Sequence, residues 1–393
     1  MNKTHIVIVG GGFGGVYTAK NLYKLFNKNE VDITIINKSN YFLFTPLLHE
    51  VSTGGLTPDS IIESMREVFR GSCVNIVEDF VIDIDKGKRM VKTATTSFLY
   101  DYLVISTGSE TNYFNTEGAK EHTFTLKSLE DAMALRNHIL QTCEKAVQTK
   151  NKDLLVTAVV GAGPTGVELS AEILEYMQHT LCAYYRNSGF VEKDVKIKLM
   201  TMTPDLISQF PQKMRDITMI ELNKKGVDTM TNTIVLKVEP NLLTFKDGST
   251  LKAHTIIWVA GVTAGVNGRI EINQNLQTVA NPEIFALGDA AGKFPMLAQV
   301  AVQQAKTVAR NIYALAHNKE LSVFEYKQKG LLLSIGQWYA VGHLGGMTFK
   351  GRIMWLIWRV AYLSNFLSWR KRFEIAFEWT ENLFSPRDIS YLK

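Results

Sequence analysis

An apolar stretch that runs into G-x-G-x-x-G and then into a helical pattern occurs twice in this chain, and few folds accommodate that order. In the first copy His5–Val9 reads HIVIV, an apolar β-branched run of the kind that makes a buried parallel strand. GGGFGG follows from Gly10 to Gly15, then VYTAKNLYKLF, with helical spacing and no breaker. The second copy is LLVTAVV (154–160), GAGPTG (161–166) and VELSAEILEYM. In a strand–turn–helix context the first glycine permits the tight turn. The second lets the backbone approach a pyrophosphate, and the third lets helix pack close on strand. The anion then sits at the helix N-terminus, where free N–H groups and the helix dipole favour it. Two such units imply two dinucleotides.

The remaining patterns fit a parallel α/β architecture. VDITIINK (31–38) completes the first unit, but Asn37 stands where an acid usually takes the ribose hydroxyls. Its amide can still hydrogen-bond a hydroxyl. SNYFLFTPLLHEVSTGG (39–55) reads as a loop too apolar for solvent, lining a ligand crevice or tucked on the core. Short strands follow from Val74 to Ser106, with a hairpin turn at Asp85-Lys86-Gly87-Lys88, and LVISTGS (103–109) returns to the first sheet. A helix is predicted over 125–148, with Ser128 as N-cap and Asp131 three residues on. VKIKLM (195–200) closes the second unit at Thr201, with no Arg or Lys at Met202, Thr203 or Pro204 to take a 2′-phosphate, which favours NADH over NADPH. HTIIWVAGV (254–262) reads as one more buried strand. IFALGDAAG (284–292) places Asp289 after a further apolar strand, as a turn residue or a ligand group. A helix over 295–315 sets Gln299 and Gln303 on one face beside Ala298 and Ala301; the amides either satisfy neighbouring backbone or meet a flat, polar-headed ligand.

Composition narrows the function classes. With 46% apolar and 21% charged residues among 393, the chain folds and has room for two or three domains. Cys73, Cys143 and Cys182 are an odd number without C-x-x-C spacing, so no disulfide scaffold or metal site is expected, and a reducing compartment is. The first strand begins at His5, so no signal peptide is expected. The net charge of +5 is local: 350–372 carries Lys350, Arg352, Arg359, Arg370, Lys371 and Arg372 and no acid. No nucleic-acid partner is expected.

The stretch 349–384 holds four of the six tryptophans. Its longest uncharged run is well short of the ~20 residues that cross a bilayer. Trp, Tyr, Phe, Arg and Lys at helical spacing fit a helix lying in a membrane interface, its basic residues each contributing on the order of 1 kcal/mol on anionic lipid. The alternative is a helix packed on the body of the protein or on a second subunit.

FLFTPLL (42–48), STG (106–108), WVAGV (258–262), LGD (287–289) and AQVAVQ (298–303) stand in an order and spacing that resembles the two-dinucleotide flavoprotein disulfide-reductase superfamily. Within it, the chain resembles type II NADH dehydrogenases, the single-subunit NADH:quinone oxidoreductases. The resemblance implies an α/β fold with two Rossmann-like domains and a C-terminal amphipathic helical, membrane-contacting segment. The FAD domain would be discontinuous, 1–112 and 245–335, with an NADH domain at 113–244 and the anchoring segment at 336–393. Residue by residue, Gly10, Gly11, Gly12, Phe13, Gly14 and Gly15 would hold the FAD pyrophosphate, Asn37 and Lys38 its adenosine ribose, and Asp289 its ribityl chain. Val81, Thr107, Gly108, Gly261, Ala298 and Gln299 would complete the cofactor contacts. Gly161, Gly163, Pro164, Thr165 and Gly166 would hold NADH. Glu168 would be the carboxylate beside nicotinamide and flavin, and Gln299 and Gln303 would face the quinone. Asn37 and Thr201 depart from the family by replacing common acids. SPRDISYL (385–392) resembles the family's ending.

Cysteine usage separates the neighbouring families. Disulfide reductases need a redox pair beside the flavin, and 39–55 has no cysteine. Sulfide:quinone reductases need cysteines in both halves, and none follows Cys182. The expectation is direct, ping-pong transfer from NADH through FAD to a quinone, without proton pumping, by a peripheral homodimer on the cytoplasmic side of the inner membrane. A soluble NAD(P)H reductase serving an iron–sulfur protein and a flavin-bearing redox sensor are the alternatives.

Overall fold

The computed structural model describes residues 3–264, 268–292 and 294–390. It divides into two compact units, one within 1–43, 62–110 and 263–327, the other within 44–61, 111–262 and 328–393.

The first unit is built on a five-stranded parallel sheet in the order Ile284–Ala286, Tyr102–Ile105, Thr4–Val9, Val31–Asn37, Val74–Glu78. Its strands are β-branched because both faces are covered. Val7, Val9, Ile36, Leu103 and Ile284 pack on one side. Helix Phe13–Leu25 lies against helix Ala298–Ala316. The predicted hairpin is present: Val81–Asp85 and Met90–Thr93 pair antiparallel, and the Lys88 N–H donates to Asp85 Oδ1 at 3.0 Å.

The second unit repeats the plan with four parallel strands, Val227–Met230, Lys196–Met200, Val156–Val160 and Thr255–Trp258. Helix Leu129–Thr149 begins as its sequence predicts: Ser128 Oγ accepts from the Asp131 N–H at 3.1 Å and Asp131 Oδ2 accepts from the Ser128 N–H at 3.1 Å. This reciprocal cap is typically worth ~1 kcal/mol. Helix Pro164–Glu175 continues into a π-helical turn, Tyr176–Leu181.

The units part at other places than expected. Thr255–Trp258 pairs with Val156–Val160, so 245–262 belongs with the second unit, as do 44–61 and the C-terminal segment. The stretch 39–55 is not a loop. Tyr41–Leu43 pairs antiparallel with Ile62–Ser64, and helical turns follow at Thr45–Leu47 and Leu48–Val51.

The C-terminal segment is also not one helix. After a three-stranded antiparallel sheet come helices Arg352–Ser364 and Trp369–Glu381. The break is held by Phe366, which stacks on Phe44 at 4.2 Å, and by Arg372 Nη2, which donates to Phe366 O at 2.7 Å. Trp355, Trp358 and Trp379 are buried, and only Trp369 of the four is exposed. Arg359 does not reach outward toward lipid: its guanidinium lies over the Trp355 and Trp379 rings at 3.7 and 4.6 Å. Two π faces and a desolvated cation explain the inward turn. Among the described residues no helix is long and apolar enough to cross a membrane. Tyr391 and Leu392, at the end of SPRDISYL, lie outside the described residues.

Candidate functional site

The two glycine turns have the same construction. Gly10 has φ +106° and Gly161 φ +110°, which a side chain rarely tolerates. A Cβ on Gly15 would lie 1.9 Å from Gly10 O, and one on Gly166 would lie 1.9 Å from Gly161 O, so only glycine lets each helix start this close to its strand. Gly12 and Gly163 are the N-caps; neither helix has a side-chain cap, and a Cβ at either would meet nothing within 4 Å. Uncapped N–H groups facing open space at the N-terminus of a helix are what a pyrophosphate requires. The residues fit two dinucleotides. Gly11 and Gly14 are buried in the first turn and Phe13 meets Phe42 edge to face at 5.0 Å; in the second, Pro164 is half-buried and Thr165 exposed.

Around the first turn, Asn37 is used internally. Its Oδ1 accepts from the Gly11 N–H at 2.8 Å and its Nδ2 donates to Ser39 O at 2.9 Å. Lys38 sits over the Phe80 ring at 4.9 Å, and Val81 opens the hairpin beyond. Ser106 Oγ donates to Val9 O at 3.0 Å, tying the STG strand end to the first turn, with Thr107 and Gly108 next in the chain. Ser109 Oγ donates to Asp289 Oδ2 at 2.7 Å, which fixes that carboxylate. In the second unit Thr201 Oγ1 lies 2.8 Å from Thr203 Oγ1, and Gly261 O accepts from the Asn112 N–H at 3.0 Å.

Helix Ala298–Ala316 opens at Ala298 and Gln299, both half-buried. The Gln303 amide is satisfied by backbone: Nε2 donates to Lys327 O at 2.9 Å and Oε1 accepts from the Lys327 N–H at 3.2 Å. Its neighbour Gln304, which the motif reading passed over, is fully buried, and its Oε1 accepts from the Gly288 N–H at 2.7 Å in the LGD turn. Adjacent residues on a helix point about 100° apart, so only the packing tells which glutamine faces inward.

Glu168 heads a row of buried acids. With Glu172 and Glu175 it lies on one side of helix Pro164–Glu175, and Glu50 on the Leu48–Val51 turn joins them in the second unit. Glu172 pairs with Arg387 at 2.8 Å, and Arg387 Nη1 also donates to Thr53 Oγ1 at 3.0 Å. Glu175 pairs with Lys225 at 2.6 Å and accepts from the Gln337 N–H at 2.6 Å. Glu168 Oε1 accepts from the Ser334 N–H at 3.1 Å, and burial pushes this carboxyl up to about 8. Burial also pushes Glu50 up to about 7 and His49 down to about 4, and holds Glu175 above the usual range. Arg387 and the nearby cations outweigh burial at Glu172 and hold it below 4.5. Glu50, Glu172 and Arg387 were missed in the sequence. E-x-x-x-E-x-x-E inside the apolar VELSAEILE run was the available signal.

Thiol chemistry has little support. Cys143 and Cys182 are buried, and burial pushes both thiols up to about 12. Among the described residues no group of His, Cys, Asp or Glu can hold a metal ion.

The comparisons agree with this geometry. The pyridine nucleotide-disulphide oxidoreductase family model matches residues 4–305, and the NDH2 C-terminal domain model matches 328–388. The type II NADH:quinone oxidoreductase Ndh of Mycobacterium tuberculosis is 30% identical over 98% of this chain and 89% of its own length. The type II NADH:quinone oxidoreductase of Haemophilus influenzae is 31% identical over 86% and 87%. Among solved structures, NDH2 from Plasmodium falciparum in complex with NADH superposes with a TM-score of 0.90 at 22% identity, covering 99% of this chain and 100% of that one. The sulfide:quinone oxidoreductase of Aquifex aeolicus gives 0.76 at 20% identity, covering 97% and 94%. With two open glycine turns, an NDH2-type C-terminal segment and relatives of this kind along nearly its whole length, the chain belongs to the type II NADH:quinone oxidoreductase family.

Proposed function

We propose that this protein oxidises NADH and reduces a membrane quinone by two electrons, NAD+ leaving before the quinone reacts. The observation that carries this is the pair of uncapped glycine turns in a chain whose relatives are NADH:quinone oxidoreductases. FAD, when bound, supplies the two-electron chemistry between nicotinamide and quinone.

The chain's own residues bind and orient. In the first unit the N–H groups at the helix start, from Gly12 to Gly15, take the FAD pyrophosphate, while those of Gly10 and Gly11 are engaged by Ile36 O and Asn37 Oδ1. Asp289, held by Ser109, presents its carboxylate to the ribityl hydroxyls, and Asn37 and Lys38 lie toward the adenosine end. In the second unit the groups at the helix start, from Gly163 to Gly166, take the NADH pyrophosphate in the same way, the Gly161 N–H being held by Met200 O. Gln299 and Gln303 face the quinone, Gln303 with an amide already oriented by the Lys327 backbone. Glu168 keeps its proton up to about pH 8 and handles a proton of quinone reduction at its carboxyl oxygens.

The same proposal places residues 349–384 on a bilayer surface. Trp369, Phe373 and Phe377 are four residues apart on one helix, and each is about 70% exposed. Ile353, Leu356 and Val360 are exposed on the other helix. Such rows fit an acyl–headgroup boundary, on the side of the membrane where NADH is held, taken as the cytoplasmic side. Homodimerisation, implied by the resemblance, is the remaining part of the proposal. Sedimentation of the FAD-loaded protein tests it.

Anaerobic stopped-flow absorbance tests the central reading. Fast bleaching by NADH, slower by NADPH, then fast reoxidation by a menaquinone or ubiquinone analogue is expected. Bleaching without reoxidation would reject the quinone as acceptor.

A further inference from the structure

The four buried glutamates of the second unit divide by their partners. Glu172 and Glu175 each meet a cation, at 2.8 and 2.6 Å. Glu50 and Glu168 have no cation within 4.0 Å among the described residues, and each is held by a neutral donor. Trp379 Nε1–H donates to Glu50 Oε2 at 2.5 Å, and the Ser334 N–H donates to Glu168 Oε1 at 3.1 Å. One neutral N–H does not offset the loss of water around a carboxylate, whereas a cation in contact does. The buried exchangeable protons therefore belong at Glu50 and Glu168.

The Leu48–Val51 turn that carries Glu50 packs on helix Pro164–Glu175, which carries Glu168. Arg359, Glu172 and Arg387 face Glu50, with Trp379 as its donor. Glu50, Glu172 and Ser334 face Glu168, with Trp358 beside it and half-buried Tyr362 close by. His49 is held neutral against this cluster. Trp358 lies against Tyr362 at 4.3 Å and near Trp379 at 6.0 Å, so aromatic rings border the two carboxyls. A charge on Glu50 therefore strengthens the hold of Glu168 on its proton.

We propose that Glu50 and Glu168 titrate as one coupled pair, in which Glu50, oriented by Trp379, is the positioning residue that determines when Glu168 releases its proton. When Glu50 loses its O–H proton to solvent, its carboxylate holds the proton on Glu168. With Glu50 neutral, that proton leaves more readily. This rests on the reading of Glu168 as the proton-handling carboxyl.

Infrared titration of the FAD-loaded enzyme, in H2O and D2O, separates the two ideas. The wild type is expected to show two protonated-carboxyl C=O bands that respond to each other. Glu50→Gln, whose amide oxygen still accepts from Trp379 Nε1–H, removes one band and moves the midpoint of the other to lower pH by about 1 unit. Trp379→Phe removes the donor and moves the Glu50 midpoint up. Glu168→Gln identifies the remaining band and reports the quinone step. A Glu168 midpoint unmoved in Glu50→Gln, or a single band in the wild type, would overturn the coupling. An unchanged pH profile of quinone reduction in Glu168→Gln, with the infrared coupling intact, would support the pair and overturn the role given to Glu168.

Discussion

Loss of the Arg387 cation should expose how much of the second unit depends on one buried ion pair. Arg387 and Glu172 are 8% and 6% exposed at their side chains and 2.8 Å apart, and Arg387 also anchors to Thr53. Arg387→Met keeps the apolar stem but leaves the Glu172 carboxylate buried without its cation. Breaking such a pair from one side costs roughly 3–5 kcal/mol, out of a total stability of about 5–15. At about 2–4 °C per kcal/mol for a unit of this size, the midpoint should fall by roughly 6–20 °C. Calorimetry against pH sharpens the test. Glu172 is held below 4.5 in the folded chain, so the pair's contribution is fully present above pH 4.5 and lost as pH falls through the lowered folded value. The deficit of Arg387→Met should therefore shrink in acid. Arg387→Met/Glu172→Gln should recover much of the loss, because no unpaired charge remains. A single variant within about 1 kcal/mol of wild type, or a double variant no better than the single, would refute the reasoning.

Glu168 carries the opposite sign. The folded chain keeps its proton to about pH 8 while the unfolded chain releases it near 4.5, so wild-type stability should fall with rising pH across that window. Glu168→Gln should remove its share of that slope in denaturant titrations at several pH values, most clearly between about pH 7 and 8, above the range in which Glu50 contributes. Gly12→Val and Gly163→Val place a side chain where no atom lies within 4 Å, so the fold should survive both. Cofactor analysis should find FAD lost in the first variant. In the second FAD should be retained, with NADH binding weakened at least ~10-fold, or about 1.4 kcal/mol. Trp369→Glu/Phe373→Glu/Phe377→Glu should remove the protein from anionic vesicles in flotation assays while its melting point holds, since these side chains already face outward. Ser128→Ala, cutting the reciprocal cap of helix Leu129–Thr149, should cost about 1 kcal/mol in the same melts.

Much of the molecule was legible in the chain because its signals are local. A strand, three spaced glycines and a helix occupy consecutive residues, and the steric demand at Gly15 and Gly166 is met within six positions. That is why both nucleotide turns, the Ser128 cap and the 85–88 hairpin could be read directly. What the tertiary structure decided joins residues far apart in sequence. Trp379 donates to a carboxylate 329 positions away. Arg387 reaches back to Glu172 across 215. Local periodicity holds no record of such partners, so Glu50 passed as part of a loop and Arg359 as a lipid-facing charge. Burial explains the difference. A cation or a carboxylate enters the interior only where another part of the chain supplies its counterion, ring face or N–H, and only the folded chain brings those together.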